Sequence, residues 1–150
     1  MIKKLDLIEN ECFNDLVNLF NSYRVFYGEE SDIEKANTFI RERIIKKESI
    51  IYIAVENKIT VGFTQLYPIF TSTKMKRLWL LNDLYVIEDY RNKGIATQLI
   101  DKVKSLCVET DAWGILLETS IQNVEANNLY VKQDFKVDKH ANYYFWKNLK

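Results

Sequence analysis

Residues 77–87, Arg-Leu-Trp-Leu-Leu-Asn-Asp-Leu-Tyr-Val-Ile, form an apolar run that only Asn82 and Asp83 interrupt on its interior. An unalternating run of this kind reads as a strand buried on both faces, at the centre of a sheet. A polar turn, residues 88–94, follows it. Ile95, Leu99, Val103, Leu106 and Cys107 then recur on one face of a long helix, and residues 113–119 return to strand. Strand, helix and strand in this order make one crossover unit, so the two strands are predicted to be parallel neighbours.

The remaining segments fit around that unit. Residues 3–8 read as a first strand. Phe13, Leu16, Val17 and Phe20 share a helical face, and residues 23–30, with Gly28, break it. Ser31 and Glu34 have capping-box spacing ahead of a second helical face, Ile33, Ala36, Ile40 and Ile44, which ends near Lys46 and Lys47. Residues 50–55 read as a buried strand, 56–58 as a turn and 59–67 as the returning strand of a hairpin that Pro68 ends. Residues 71–76 are polar loop. A short helix is predicted over 123–132 and final strands over 135–137 and 142–149. No repeat, linker or low-complexity stretch interrupts the chain. The prediction is one α+β domain, residues 1–150, with a mostly antiparallel sheet.

Composition excludes several classes. Lys plus Arg and Asp plus Glu are both 21, so the chain is formally neutral, whereas non-specific nucleic-acid binding needs a basic surplus. Cys12 and Cys107 form no CxxC pair and His140 is the single histidine, so neither a disulfide framework nor a zinc site is expected. Both thiols read as small buried hydrophobes. No apolar stretch reaches the roughly 18 residues of a membrane span, and the start, Met-Ile-Lys-Lys-Leu-Asp, is unlike a signal peptide. A soluble, cytoplasmic protein with no membrane partner is expected.

The turn Tyr90-Arg91-Asn92-Lys93-Gly94-Ile95-Ala96-Thr97 is the segment best suited to chemistry. It leaves a buried strand and enters a long helix, whose first N–H groups lack internal partners and carry the positive end of the helix dipole. Gly94 and Ala96 are small enough to let an anion approach. Arg91 and Lys93 add charge and Thr97 a hydroxyl. The pattern is that of a diphosphate site built from backbone; the alternative is an ordinary helix cap. Neither GxxxxGK[ST] nor GxGxxG occurs, which disfavours ATP or NAD bound through those loops.

Three segments in order, Asn82-Asp83-Leu84-Tyr85-Val86, Arg91-Asn92-Lys93-Gly94-Ile95-Ala96 and Asn123-Val124-Glu125-Ala126-Asn127-Asn128-Leu129-Tyr130, resemble the core of the GNAT superfamily of acetyl-CoA-dependent N-acetyltransferases. Leu129-Tyr130-Val131-Lys132 is similar to its histone/polyamine-type and related bacterial members. The resemblance implies a mixed, twisted, mostly antiparallel sheet with a splayed parallel pair, flanked by about four helices. It also implies acetyl-CoA as donor substrate, held by backbone N–H groups from Arg91 to Ala96. The free edge at Leu84, Tyr85 and Val86 would pair with the pantetheine arm, Asn123 would hydrogen-bond that arm, and Tyr130 would sit beside the thioester sulfur. The family's glycine before the last phenylalanine is Asp134 here, a residue that tolerates a left-handed cap.

Aminolysis of a thioester needs three things. The amine, with a pKa of about 10, must become neutral, and a base can take its proton. The developing oxyanion needs a donor, for which a backbone N–H near Leu84 is expected. The thiolate needs a proton, and the Tyr130 phenol is matched to it within about two pKa units. Asp83 is the candidate base; the alternative is a structural carboxylate. Asn82 replaces a glutamate of polyamine-acetylating relatives, and if it points opposite to Asp83 only one of them lines the cleft. Tyr27, Glu29 and Glu30 are the candidate acceptor loop, with a solvated loop as the alternative. His140 reads as surface.

The expected function is transfer of an acetyl group to a primary amine, a small amine or polyamine. A protein or peptide N-acetyltransferase and a non-catalytic acyl-CoA sensor are the rivals. No metal is expected. The aromatic run Tyr143-Tyr144-Phe145-Trp146 points to a homodimer.

Overall fold

A computed structural model describes residues 1–149; the last residue of the expected 1–150 domain lies outside it. The described chain divides into two compact units, residues 1–118 and the described residues from 119 on.

The first unit carries the sheet. Its elements are β1 (Ile2–Lys4), α1 (Phe13–Phe26), α2 (Ile33–Ile45), β2 (Ile50–Glu56), β3 (Ile59–Thr71), β4 (Lys76–Val86), α3 (Ile95–Glu109) and β5 (Gly114–Leu117), with a single 3-10 turn at Glu88–Tyr90. The strands lie in chain order, β1-β2-β3-β4-β5. Pairing is antiparallel throughout except between β4 and β5, which run parallel from Leu78–Gly114 to Leu81–Leu117. The predicted crossover is therefore present.

Packing follows from the patterning. Phe13, Leu16, Val17 and Phe20 of α1 and Ala36 and Ile40 of α2 close over Ile51, Ile53 and Phe63 of the sheet as one core cluster. Leu99, Ile100 and Val103 of α3 are fully buried. Removing such side chains costs roughly 2–5 kcal/mol each, so α3 is fixed firmly to the unit and its N-terminus with it. Gly62 permits a close approach: a Cβ there would lie 2.9 Å from the Tyr85 carbonyl oxygen of β4.

Besides β1, which covers Ile2–Lys4 where residues 3–8 are expected, four local expectations change. The α2 cap is Asp32, whose carboxylate accepts from the Lys35 N–H at 2.9 Å, while Ser31 accepts from the Asn21 side chain. The α1 helix runs on to Phe26. The β3 strand continues through Pro68 to Thr71. Beyond Leu66 it has lost β2 and keeps β4 as its only neighbour, and a proline is tolerated on a strand with one open side. Finally, residues 135–137 and 142–149 form no strand. The aromatic run there is 72–91% exposed; aromatic residues favour strands only where a partner strand offers a surface to pack on.

The second unit holds α4 (Val124–Lys132). The Asn123 carboxamide oxygen caps it, accepting from the Ala126 N–H at 3.2 Å. The helix ends as the sequence predicts, with Asp134 left-handed at φ 64° and the Phe135 N–H returning to the Tyr130 carbonyl.

Candidate active site

The register of β3 against β4 slips by one residue. Gln65 faces Asp83 and Leu66 faces Leu81, which leaves Asn82 as the extra residue of a β-bulge. The bulge resolves the question of faces. Asn82 and Asp83 both line one cavity of about 320 Å³, together with Phe20, Tyr23 and Arg24 of α1, Lys35, Ala36 and Phe39 of α2, and Tyr67 of β3.

Asp83 is the buried charge of this cavity, 3% exposed. Its Oδ2 accepts from Gln65 Nε2 at 2.7 Å and its Oδ1 from Asn82 Nδ2 at 3.0 Å. Gln65 is held in that orientation by the Ser49 hydroxyl, which donates to its Oε1 at 2.8 Å. The Tyr23 hydroxyl donates to the Asn82 carbonyl oxygen at 3.3 Å and also hydrogen-bonds Asp83. Burial raises the Asp83 carboxyl above its ordinary range, against the lowering effect of the Gln65, Tyr23 and Asn82 bonds. Burial, and next the Asp83 carboxylate, push the Tyr67 phenol up to about 12. Tyr67 therefore stays protonated at neutral pH, whereas Asp83 is shifted towards the range in which a base works.

Immediately past the bulge, β4 runs on without β5. The parallel ladder stops at Leu81–Leu117, and residues Leu84, Tyr85 and Val86 pair on one side only, with Thr64, Phe63 and Gly62. The side chain of Tyr85 packs towards Tyr23 and Phe26, so the open edge presents backbone. Arg91 ties the turn back to β4 and α1: its Nε donates to the Val86 carbonyl at 2.9 Å while its guanidinium lies over the Phe26 and Tyr85 rings.

The turn itself takes left-handed backbone at Asn92, φ 59°, and Gly94, φ 78°. Gly94 is the N-cap of α3 and no side chain caps the helix. The first intrahelical bond runs from the Gln98 N–H to the Gly94 carbonyl, so the N–H groups of Ile95, Ala96 and Thr97 precede the ladder. No acidic residue stands in that first turn. The Ile95 side chain is buried, which leaves its backbone as its contribution. Lys93 lies over the Tyr90 ring, 4.9 Å from its centre. An anion could be held here by main chain, dipole and flanking charge together.

Of the expected acceptor residues, only Asn82 lines the cavity. Tyr27, Glu29 and Glu30 are exposed, and their loop is pinned by backbone: Arg24 donates to the Glu30 carbonyl at 3.1 Å and the Asp32 N–H to the Asn21 side chain at 2.9 Å. The residues missed are Tyr23, Arg24, Lys35, Phe39, Gln65 and Tyr67. Gln65 carried a signal, a glutamine alternating with Phe63 inside a buried strand. The others needed the packing of α1 and α2.

In the second unit Tyr130 is half-buried, its ring edge-on to Phe135 at 5.7 Å. The Asn123 oxygen is committed to the helix cap, which leaves its amide N–H groups as donors. Among the described residues no cluster of three His, Cys, Asp or Glu side chains is arranged for a metal, and no helix is long and apolar enough to cross a membrane.

A bulged central strand, an open parallel pair and an uncapped helix N-terminus define an acyl-transfer fold of the GNAT type. Residues 13–135 match the acetyltransferase (GNAT) family, to which the chain belongs; it is an acyltransferase of a family whose acyl donor is acetyl-CoA. The uncharacterized N-acetyltransferase YhfO of Bacillus subtilis is 41% identical over 120 residues, 80% of each chain. The D-amino-acid N-acetyltransferase HPA3 of Saccharomyces cerevisiae is 28% identical over 142 residues, 93% of this chain and 86% of that one. The crystal structure of a probable acetyltransferase, 35% identical, superposes with a TM-score of 0.92 over 100% of this chain and 99% of that one.

Proposed function

We propose that the chain transfers the acetyl group of acetyl-CoA to a small primary amine by direct attack. The observation that carries this reading is the end of the β4–β5 ladder at Leu81–Leu117, one residue before a bulge that puts Asp83 in a cavity wall. Donor and acceptor positions then meet along one strand.

The backbone of Arg91, Asn92, Lys93, Gly94, Ile95 and Ala96, with the Thr97 hydroxyl, holds the pyrophosphate. The open edge at Leu84, Tyr85 and Val86 takes the pantetheine amides as a neighbouring strand would, and Asn123 donates to that arm. Asp83 accepts the proton of the incoming ammonium. The amine nitrogen bonds to the acetyl carbon, the carbon–sulfur bond breaks with its electron pair on sulfur, and Tyr130 protonates the thiolate. A backbone N–H near Leu84 faces the oxyanion. The free thiols of Cys12 and Cys107 suit a cytoplasmic enzyme, and the exposed run at Tyr143 to Trp146 supports a homodimer. Of the small amines, a polyamine is the less favoured acceptor, because Arg24 and Lys35 stand in the same cavity wall as Asp83.

Acetyl-CoA raises the melting temperature if this reading holds, since it binds only the folded state. An equal shift from NAD or ATP would contradict the donor assignment. Acetyl-CoA binding without thiol release across a panel of amines and amino-terminal peptides would favour the sensor; release with peptides alone would favour the peptide enzyme.

Asp83→Asn tests the base. Its kcat/KM falls by about 10²-fold, the low end of a positioned base, because Tyr23 and water remain. The wild-type rate rises with pH through a limb that lies above the ordinary carboxylate value of about 3.9, and the variant loses that limb. The stability effect has the opposite sign from a salt-bridged carboxylate. A raised folded pKa means the native state binds the extra proton, so the Asp83 contribution weakens as pH climbs from the ordinary carboxylate range to the raised value. Urea melts between pH 3 and pH 7 of the two proteins would read it. A pH profile unchanged by Asp83→Asn removes this residue from the mechanism.

A further inference from the structure

We infer that the acceptor is a free amino acid with an apolar or aromatic side chain, bound through both its ammonium and its carboxylate. The inference rests on the acetyl-transfer reading and names the substrate class of that site. Three features of the 320 Å³ cavity carry it.

The first is its charge. One buried carboxylate, Asp83, shares the wall with two cations, Lys35 and Arg24. None of the ion pairs among the described residues involves either cation. Arg24 spends one N–H on the Glu30 carbonyl, and Lys35, an exposed residue at the cavity rim, bonds Asp32 through its backbone N–H and has its ammonium in none of those ion pairs. A cavity with one anionic and two cationic groups is mismatched to a polyamine, whose second ammonium would face like charge. It suits a zwitterion: ammonium to Asp83, carboxylate to Lys35 and Arg24. A peptide amino terminus has a neutral amide where the free amino acid has its carboxylate, and would leave both cations without a counter-charge.

The second feature is the apolar wall. Phe20 and Phe39 stack with centroids 5.5 Å apart and planes 8° from parallel, and Tyr23 extends the row at 6.4 Å from Phe20. Flat rings of this kind favour an aromatic or broad aliphatic group. The third is size. A volume near the lower end of ligand sites matches a single amino acid.

The balance of the reaction is ordinary. The amino acid enters with three protons on nitrogen and leaves with one. Asp83 passes one of the two lost protons to solvent, and the departing sulfur gains the other by way of Tyr130, giving N-acetyl amino acid, free thiol and one proton.

The test is thiol release from acetyl-CoA with five acceptors: the two enantiomers of phenylalanine, phenethylamine, phenylalaninamide and spermidine. Phenethylamine is phenylalanine without its carboxylate, and the amide keeps the shape without the charge. The expected result is that kcat/KM for one enantiomer of phenylalanine exceeds that for phenethylamine and for the amide by about tenfold or more, the scale of a charge-assisted contact. Lys35→Met and Arg24→Gln each pull that ratio towards one by raising KM for the amino acid. Equal or better use of phenethylamine, the amide or spermidine overturns the inference and leaves acetyl transfer standing, as does a ratio that neither variant moves. Acetyl-CoA binding with no turnover of any acceptor overturns the acetyl-transfer reading and this one with it.

Discussion

Tyr130→Phe lowers kcat by about 10²–10⁴-fold while acetyl-CoA binds much as before, if Tyr130 is the acid that protonates the leaving thiolate. The substitution keeps the ring and its edge-on contact with Phe135 and removes only the hydroxyl. The retained ring contact is expected to keep the variant folded. The measurement is single-turnover thiol release with an acceptor slow enough that chemistry limits the rate, beside a thermal titration with acetyl-CoA. Turnover close to wild type would take Tyr130 out of the mechanism. Loss of the melting transition would identify a packing residue whose hydroxyl has a structural partner.

Gly94→Asp weakens acetyl-CoA binding by about 10²–10³-fold, the scale of a like charge placed against a bound anion. The position separates charge from strain. A Cβ at Gly94 meets nothing within 4 Å, but the backbone stands at φ 78°, where any side chain carries a cost of about 1–2 kcal/mol, less for Asn and Asp. Gly94→Asn bears the same backbone cost without the charge. It is expected to retain most of the acetyl-CoA-induced rise in melting temperature, while Gly94→Asp loses nearly all of it. Equal behaviour of the two variants would mean that no diphosphate approaches these N–H groups.

The parts of the fold legible in the sequence are those set by local pattern. The run 77–87, the amphipathic helix after it and the next strand announce a crossover, and β4, α3 and β5 are arranged so. Gly94 and Asp134 both sit where the backbone turns left-handed, as their places beside helix ends suggest. The site was legible only along the chain. Asn82 and Asp83 stood out as polar residues in an apolar strand, but their sharing of one cavity depends on a register slip that Gln65 and Leu66 of another strand define. Alternation alone left open whether they share a face. Tyr23, Phe39 and Tyr67 become cavity walls only once α1 and α2 are packed over the sheet. Glu29 and Glu30 stand outside that cavity wall, on a loop whose main chain Arg24 and Asn21 hold.

The extra residue at Asn82 has a consequence for which changes of chain length the protein tolerates. Residues paired across two strands share a face, and Leu66–Leu81 and Gln65–Asp83 are consecutive pairs along β3. Removing Asn82 would therefore make Leu81 and Asp83 regular neighbours and leave Asp83, Leu84, Tyr85 and Val86 on their present faces, with only the local bend and the hydrogen bond from Asn82 to Asp83 lost. Removing a residue that no bulge absorbs, such as Leu84, would instead turn over every position of β4 that follows it. A chain one residue shorter at Asn82 can keep its carboxylate where it is; one shorter at Leu84 cannot keep the faces of the strand's end.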